Sequence, residues 1–456
     1  MSAVATLLDR AVTVSAGLDL ARVPAELVTR AGYVIADTVA VSRGGARQPE
    51  LERLIELARA DGMVGTREAS SPGRPSLRSA TVFSSPTCLS TPEYAAFLNA
   101  TAGSFLEMDE GMRPTGHPAM QVVTAALGVA ERVGASGPAL LRAVLAGYET
   151  TSRLFRGFRL RYPVHPHGHF GAIGAAVAVA LLEGADPVAA ARIAATTPIL
   201  SIWDACYEGA TARNTWMGLA AQSGVRASML ARAGFTGSAR ALERAFGEVA
   251  GELVDEDVIR AALSYDELGI GGNYFKLHSA CALSHAAIDA MYRLELPDPG
   301  SIQRIVVETV SNNLKLDRQP EPNDLSARFS LPYAVATVAV LGRSDPDAFS
   351  FRREVADLAA RVEVRAVPDL EARWPGSSPA RVTVHWSGGS ATAEVLNPHG
   401  YHSEPITELE LRSKFLELVH EPEVGDVWWR ALTTLTSVES CAMLFQEGQP
   451  LRGEAS

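Results

Sequence analysis

The stretch Leu106-Glu107-Met108-Asp109-Glu110-Gly111-Met112-Arg113-Pro114-Thr115-Gly116-His117-Pro118 concentrates carboxylates, a guanidinium and an imidazole in one short segment. It lies between two apolar segments of helical pattern. Residues 94–105 carry Phe97, Leu98 and Phe105 at near-helical spacing, and residues 122–133 repeat Val, Leu and Ala in the same way. The Pro and Gly residues inside the stretch mark turns, so the sequence predicts a loop held between two packed helices. Such a loop is a candidate site; the plainer alternative is a solvated helix end with His117 starting the next helix.

The 456 residues, 47% hydrophobic and 20% charged, predict a globular chain of two or three domains with a sizeable core. The formal net charge of −11 argues against nonspecific nucleic-acid binding, which Lys and Arg drive by neutralising phosphates, and leaves room for a local basic pocket. Cys88, Cys206, Cys281 and Cys441 lie far apart with no Cys-x-x-Cys pair, a pattern of reduced thiols and neither a zinc ribbon nor a disulfide framework. Asp9 and Arg10 interrupt the apolar start, and the apolar run 171–182 is too short to span a bilayer. A cytoplasmic protein with no membrane and no nucleic-acid partner is expected.

Along the chain, residues 4–60 read as two or three helices, with a helix start at Val23-Pro24-Ala25-Glu26-Leu27 and a break at Gly44-Gly45. Residues 67–91 read as a long loop. Residues 138–155 give another helix, followed by a second polar loop in which Arg159, Arg161, His165, His167 and His169 precede an Ala-rich helix over 172–182. The N-terminus of that helix would offer free N–H groups to an anion. Helices are predicted at 187–196 and 216–233, with Arg213 just before the second, and residues 239–263 complete the helical region. Strand patterns first appear after residue 266, at 302–310, 361–367, 380–386 and 390–396, the last two forming a hairpin across Ser387-Gly388-Gly389. Helices are expected between them at 284–292, 331–341 and 350–358. Thr407 and Glu410 have capping-box spacing ahead of Leu411, Phe415 and Leu418. The expected fold is mainly α: a helical part over 1–265, an α+β part over 266–400, and C-terminal helices over 401–456 that return to the first.

Alternate histidines at 165, 167 and 169 admit a metal reading, but the run leads into a helix, and no Asp follows it as in dinuclear hydrolases. No metal is expected. Gly168-x-x-Gly171-x-x-Gly174 is not a dinucleotide fingerprint, and neither a Walker loop nor a Gly-x-Ser-x-Gly elbow occurs, so no organic cofactor or serine nucleophile is indicated. The cluster Tyr274-Phe275-Lys276-Leu277-His278-Ser279-Ala280-Cys281 places a lysine among aromatic and apolar residues at the junction of the two expected parts, where pockets often form.

Taken together, the landmarks resemble the MmgE/PrpD family, whose members include 2-methylcitrate dehydratase, cis-aconitate decarboxylase and iminodisuccinate epimerase. They are Ile35-Ala36-Asp37-Thr38, Ala96-Phe97-Leu98-Asn99-Ala100-Thr101-Ala102, the Met108-Asp109-Glu110 to His117-Pro118 loop, and His165 to Gly171 with Gly174-Ala175-Ala176. Gly234-Phe235-Thr236-Gly237, Lys276 with Cys281 and His285, Ala327-Arg328-Phe329-Ser330, and Gly400 to Phe415 complete the set. The resemblance implies a large helical domain built from both chain ends, a smaller α+β lid, a homodimer, and no required metal or organic cofactor. It implies His117, His165, Lys276 and Glu107 as catalytic residues, with Arg213, Asp109, Tyr162, Cys281 and Arg113 contacting a small carboxylate substrate. Glu107 stands where decarboxylase-like members have Asp, Gly111 replaces Thr, Arg213 replaces Lys and Cys281 replaces His. Residues 311–322 lack the family's tyrosine region. The expected chemistry is proton transfer at carbon beside a carboxylate, foremost by a dehydratase on a hydroxy-polycarboxylate. An epimerase or isomerase comes second and a decarboxylase third; a noncatalytic polycarboxylate binder and a metallohydrolase are the readings from other classes.

Overall fold

The computed structural model describes residues 6–66 and 78–445. The fold is mainly α. Helix Phe170–Glu183 is apolar on every side and sits at the centre, with Gly137–Gly157, Pro118–Val133, Thr215–Arg232 and Pro187–Thr196 packed around it. Small residues let these axes approach closely: a Cβ at Gly174 would lie 2.0 Å from Thr151 Oγ1 and 2.4 Å from the Gly147 carbonyl oxygen. Helix Leu7–Ala16 starts with a Thr6/Asp9 capping box, and Asp9 also pairs with Arg192 at 2.6 Å, tying the first helix to Pro187–Thr196.

The chain ends share one core. Leu411, Phe415 and Leu418 of helix Glu408–Val419, with Trp428, Trp429 and Leu432 of helix Pro422–Thr433, pack with Val34, Ile35 and Val39 of helix Ala25–Gly45. The predicted Thr407/Glu410 capping box is present. Lys414 reaches through this core to Asp37 at 2.6 Å.

The strand-bearing part is a four-stranded sheet in the order Gly389–Val395, Ala380–Trp386, Ile302–Thr309, Val362–Ala366. The hairpin is antiparallel as predicted, and only the Ile302–Thr309/Val362–Ala366 pair is parallel. Val382 and Val384 alternate inward and bury with Ile305 and Val307 against helices His285–Tyr292 and Leu331–Leu341.

Two expectations need correction. Strand pairing begins well before residue 266: Val64–Gly65, Leu89–Ser90 and Ala80–Thr81 form a small sheet, Gly111–Met112 pairs with Asn273–Tyr274, and Phe158–Leu160 pairs with Gly251–Leu253. Ladders of two or three residues are too short to show alternation, so periodicity could not reveal them. Two strands of the first sheet, Ala80–Thr81 and Leu89–Ser90, also fall inside the predicted 67–91 loop, of which residues 67–77 lie outside the described residues. Second, residues 239–263 are not simply helical: a π-helical turn, Glu243–Val249, feeds strand Gly251–Leu253 before the short helix Glu256–Arg260. Among the described residues, no helix is long and apolar enough to cross a membrane.

Candidate active site

The polar loop between helices Pro92–Gly103 and Pro118–Val133 is fixed from both parts of the molecule. The Leu106 carbonyl accepts from Ser279 Oγ at 2.6 Å, and the Met108 carbonyl accepts from Lys414 Nζ at 2.8 Å. Gly111 packs so tightly on Tyr274 that an added Cβ would lie 2.4 Å from its hydroxyl. Glu107 has φ +51°, a backbone region costly for a side-chain-bearing residue and tolerated where surrounding contacts impose it. That conformation turns its carboxylate inward, where it is 2% exposed.

Inside, Arg213 Nη1 lies 2.5 Å from Glu107 Oε1, and Lys276 Nζ lies 3.4 Å from Glu107 Oε2 and 3.1 Å from Asp109 Oδ1. Asp109 Oδ2 is 2.9 Å from His117 Nδ1. Burial would raise the Asp109 carboxyl, but Lys276, His117 and Arg213 together hold it well below the usual range. Burial would likewise lower Lys276 and Arg213, and the two carboxylates more than offset it, so both stay cationic. Arg213 Nε and Nη2 have no hydrogen-bond acceptor among the described residues. Buried donors left open are costly in a closed protein and suit an incoming anion.

The histidines differ in how they are held. His117 Nδ1 faces only acceptors, the Glu110 carbonyl at 2.8 Å and Asp109, so it carries a proton and leaves Nε2 as the free lone pair in the neutral ring. His165 Nδ1 instead accepts the His167 backbone N–H at 3.3 Å, which puts the proton of the neutral ring on Nε2. Burial, followed by the nearby Arg213 and His117, drives the His165 pKa well below its ordinary value and keeps it neutral. Trp203, Trp216 and Phe329 surround it. The His167 ring stands between the other two, 4.8 Å from His117 and 4.2 Å from His165. His169 turns away, its Nε2 on the His165 carbonyl and Ser201 and its ring against Phe246, so the run does not converge on one point. Among the described residues, no group of three His, Cys, Asp or Glu side chains could hold a metal ion.

Glu107, His117, His165, Arg213, Lys276 and Cys281 line one cavity of about 500 Å³ between the helical body and the strand-bearing part. Burial pushes the Cys281 thiol up to about 11, leaving it protonated at neutral pH. Asp109 does not line the cavity and stands behind Lys276 and His117. Tyr162 is 62% exposed and outside the lining. Arg113 also points elsewhere: it donates to the carbonyls of Pro375 and Ser377 and stacks on Trp374 at 4.5 Å. This latch brings Trp374 and Pro375 over the cavity as part of its wall. The first turn of helix Phe170–Glu183 is absent from the lining as well, because Phe170 packs into the core on Phe155 and Phe246. His167, Trp203, Asn312 and Lys315 line the cavity without having been singled out as site residues. The His-x-His-x-His run was the available signal for His167; a lone Lys in a polar turn gives none.

The molecule is a mainly α protein whose two parts close around a buried cluster of paired charges and imidazoles. The chain belongs to the MmgE/PrpD family: the N-terminal domain model of that family matches residues 11–257 and the C-terminal domain model residues 278–423. The chain is 23% identical over 434 residues to cis-aconitate decarboxylase of Aspergillus terreus (strain NIH 2624 / FGSC A1156), covering 87% of this chain and 86% of that protein. It is also similar to cis-aconitate decarboxylase of Mus musculus, 23% identical over 413 residues and 83% of each chain, and of Homo sapiens, 24% over 364 residues and 74% of each.

Proposed function

We propose that this protein is a cofactor-independent lyase that eliminates water from a small hydroxy-polycarboxylate. The observation that carries the reading is the opposite hydrogen bonding of the two ring Nδ1 atoms, which gives His117 a basic Nε2 and His165 a proton-bearing Nε2 on one cavity. His117 takes the proton from the carbon beside a carboxylate, with Asp109 behind it compensating the imidazolium that forms. Negative charge grows on that carboxylate, and Lys276 with the open donors of Arg213 stabilises it; removing one such donor typically costs roughly 2.7–4 kcal/mol of transition-state stabilisation. His165 donates its Nε2–H as a hydrogen bond to the departing hydroxyl, and the proton taken up by His117 is passed to that oxygen, so a C–H and a C–O bond break, a C=C bond forms, water leaves and both rings end neutral. Glu107 holds Arg213 and Lys276 in position.

Decarboxylation is the second reading, favoured by the names of the related proteins. It needs one proton donor and no base. Proton NMR of the purified protein in deuterium oxide, with hydroxy-tricarboxylates and their unsaturated counterparts, separates the two. An alkene signal without carbon dioxide release from the hydroxy acids supports elimination. Carbon dioxide release from the unsaturated acids, with no reaction of the hydroxy acids, would replace it with decarboxylation.

A further inference from the structure

The cavity's buried charges cancel within the protein: Arg213 pairs with Glu107, and Lys276 with Glu107 and Asp109. Lys315 is different. It lines the same cavity from the strand-bearing part, and its ammonium has no carboxylate partner among the described residues. Its Nζ donates to Asn312 Oδ1 at 2.7 Å and lies 5.7 Å from the centre of the Trp203 ring. Trp203 is the indole that also contacts His165, so Lys315 and the reacting imidazole flank one aromatic wall. Burial lowers the Lys315 pKa, the mark of an ammonium that gives up water without gaining an anion. The turn that carries it, Ser311–Leu316, is rigidly set: the Ser311 N–H and hydroxyl both donate to the Glu371 carboxylate at 2.6 and 2.7 Å, and Leu316 is buried.

We infer that Lys315, steadied by Asn312, is a specificity-determining residue that binds a second carboxylate of the substrate, remote from the one activated at Arg213 and Lys276. The site thereby selects molecules with at least two carboxylates and discriminates against monocarboxylates. This rests on the lyase reading for the identity of the reacting end, but it is tested by binding alone.

Isothermal titration of the full chain with propane-1,2,3-tricarboxylate, which has no hydroxyl to eliminate, compares the wild type with Lys315→Met and Lys315→Arg. Loss of a charge-assisted contact of this kind is expected to weaken binding roughly 10- to 100-fold in Lys315→Met. Lys315→Arg keeps the charge and is expected to remain within a few-fold of the wild type. Circular dichroism confirms that each variant is folded. Unchanged affinity in folded Lys315→Met overturns the inference, as does failure of the wild type to bind the tricarboxylate. Lys315-dependent binding with no turnover of any hydroxy acid would remove the water-elimination reading and leave this carboxylate site standing.

Discussion

Replacing Glu110 with Gln is expected to make the protein more resistant to alkaline pH. Glu110 is 2% exposed; its Oε1 meets the Tyr148 hydroxyl and its Oε2 accepts the Ala119 N–H at 3.3 Å, at the start of helix Pro118–Val133. Burial pushes its carboxyl up from 4.5 to about 8, against the hydrogen bonds from Tyr148 and Ala119. The folded protein therefore keeps a proton that the unfolded chain releases above pH 4.5. The side chain's contribution is fully present below that pH and is lost as pH rises toward 8. At about 1.4 kcal/mol per unit, the loss is about 3 kcal/mol at pH 7 and approaches 5 kcal/mol by pH 9, to order of magnitude. Gln has the shape of the protonated acid and no proton to lose. Urea unfolding at pH 5, 7 and 9 should show Glu110→Gln gaining on the wild type by several kcal/mol across the range. A difference that is constant with pH, or a variant that loses ground, would refute the reasoning.

Three further perturbations follow from the packing and the site. Lys414→Met strands Asp37, which is 1% exposed, and removes the donor to the Met108 carbonyl; a loss of about 3–5 kcal/mol in urea unfolding is expected, largely restored by adding Asp37→Asn. Gly45→Ala would place a Cβ 1.9 Å from the Ala102 carbonyl oxygen, forcing helices Ala25–Gly45 and Pro92–Gly103 apart at a cost of about 1–3 kcal/mol or more, visible as a lowered melting temperature. His165 should remain a neutral Nε2–H ring at pH 6.5 in ¹⁵N spectra of histidine-labelled protein, and a doubly protonated ring there would contradict the site description. The sign for stability follows: below pH 6.5 the unfolded chain binds a proton that folded His165 refuses, so its contribution falls as the solution is acidified.

The helical frame was legible because long helices repeat their apolar residues over many turns and declare their ends, as Thr407 with Glu410 does and as the Gly-rich hairpin does for the sheet. The polar loop was legible because acid, base and cation sit close together in the chain. Contacts between distant segments were not. Nothing local in Asp37 or Lys414 announces a pair separated by 377 positions, and nothing in Lys315 distinguishes a cavity ammonium from an ordinary surface lysine. Arg113 and Tyr162 show the converse. The family resemblance made them candidates, but the Trp374 to Ser377 segment captures one, and the other faces solvent. The tautomers of His117 and His165 depend on a backbone carbonyl and a backbone N–H, groups that every residue carries and no sequence pattern marks.

The central claim is that His117 removes the carbon-bound proton and that neutral His165 steadies the departing hydroxyl through its Nε2–H. Hydrogen–deuterium exchange and product formation, followed together by NMR on one hydroxy-polycarboxylate substrate in deuterium oxide, test it most directly in the wild type, His117→Gln and His165→Gln. His117→Gln should lose both exchange beside the carboxylate and product, while His165→Gln should keep the exchange and lose the product. Exchange surviving in His117→Gln, or disappearing only in His165→Gln, would contradict the assignment.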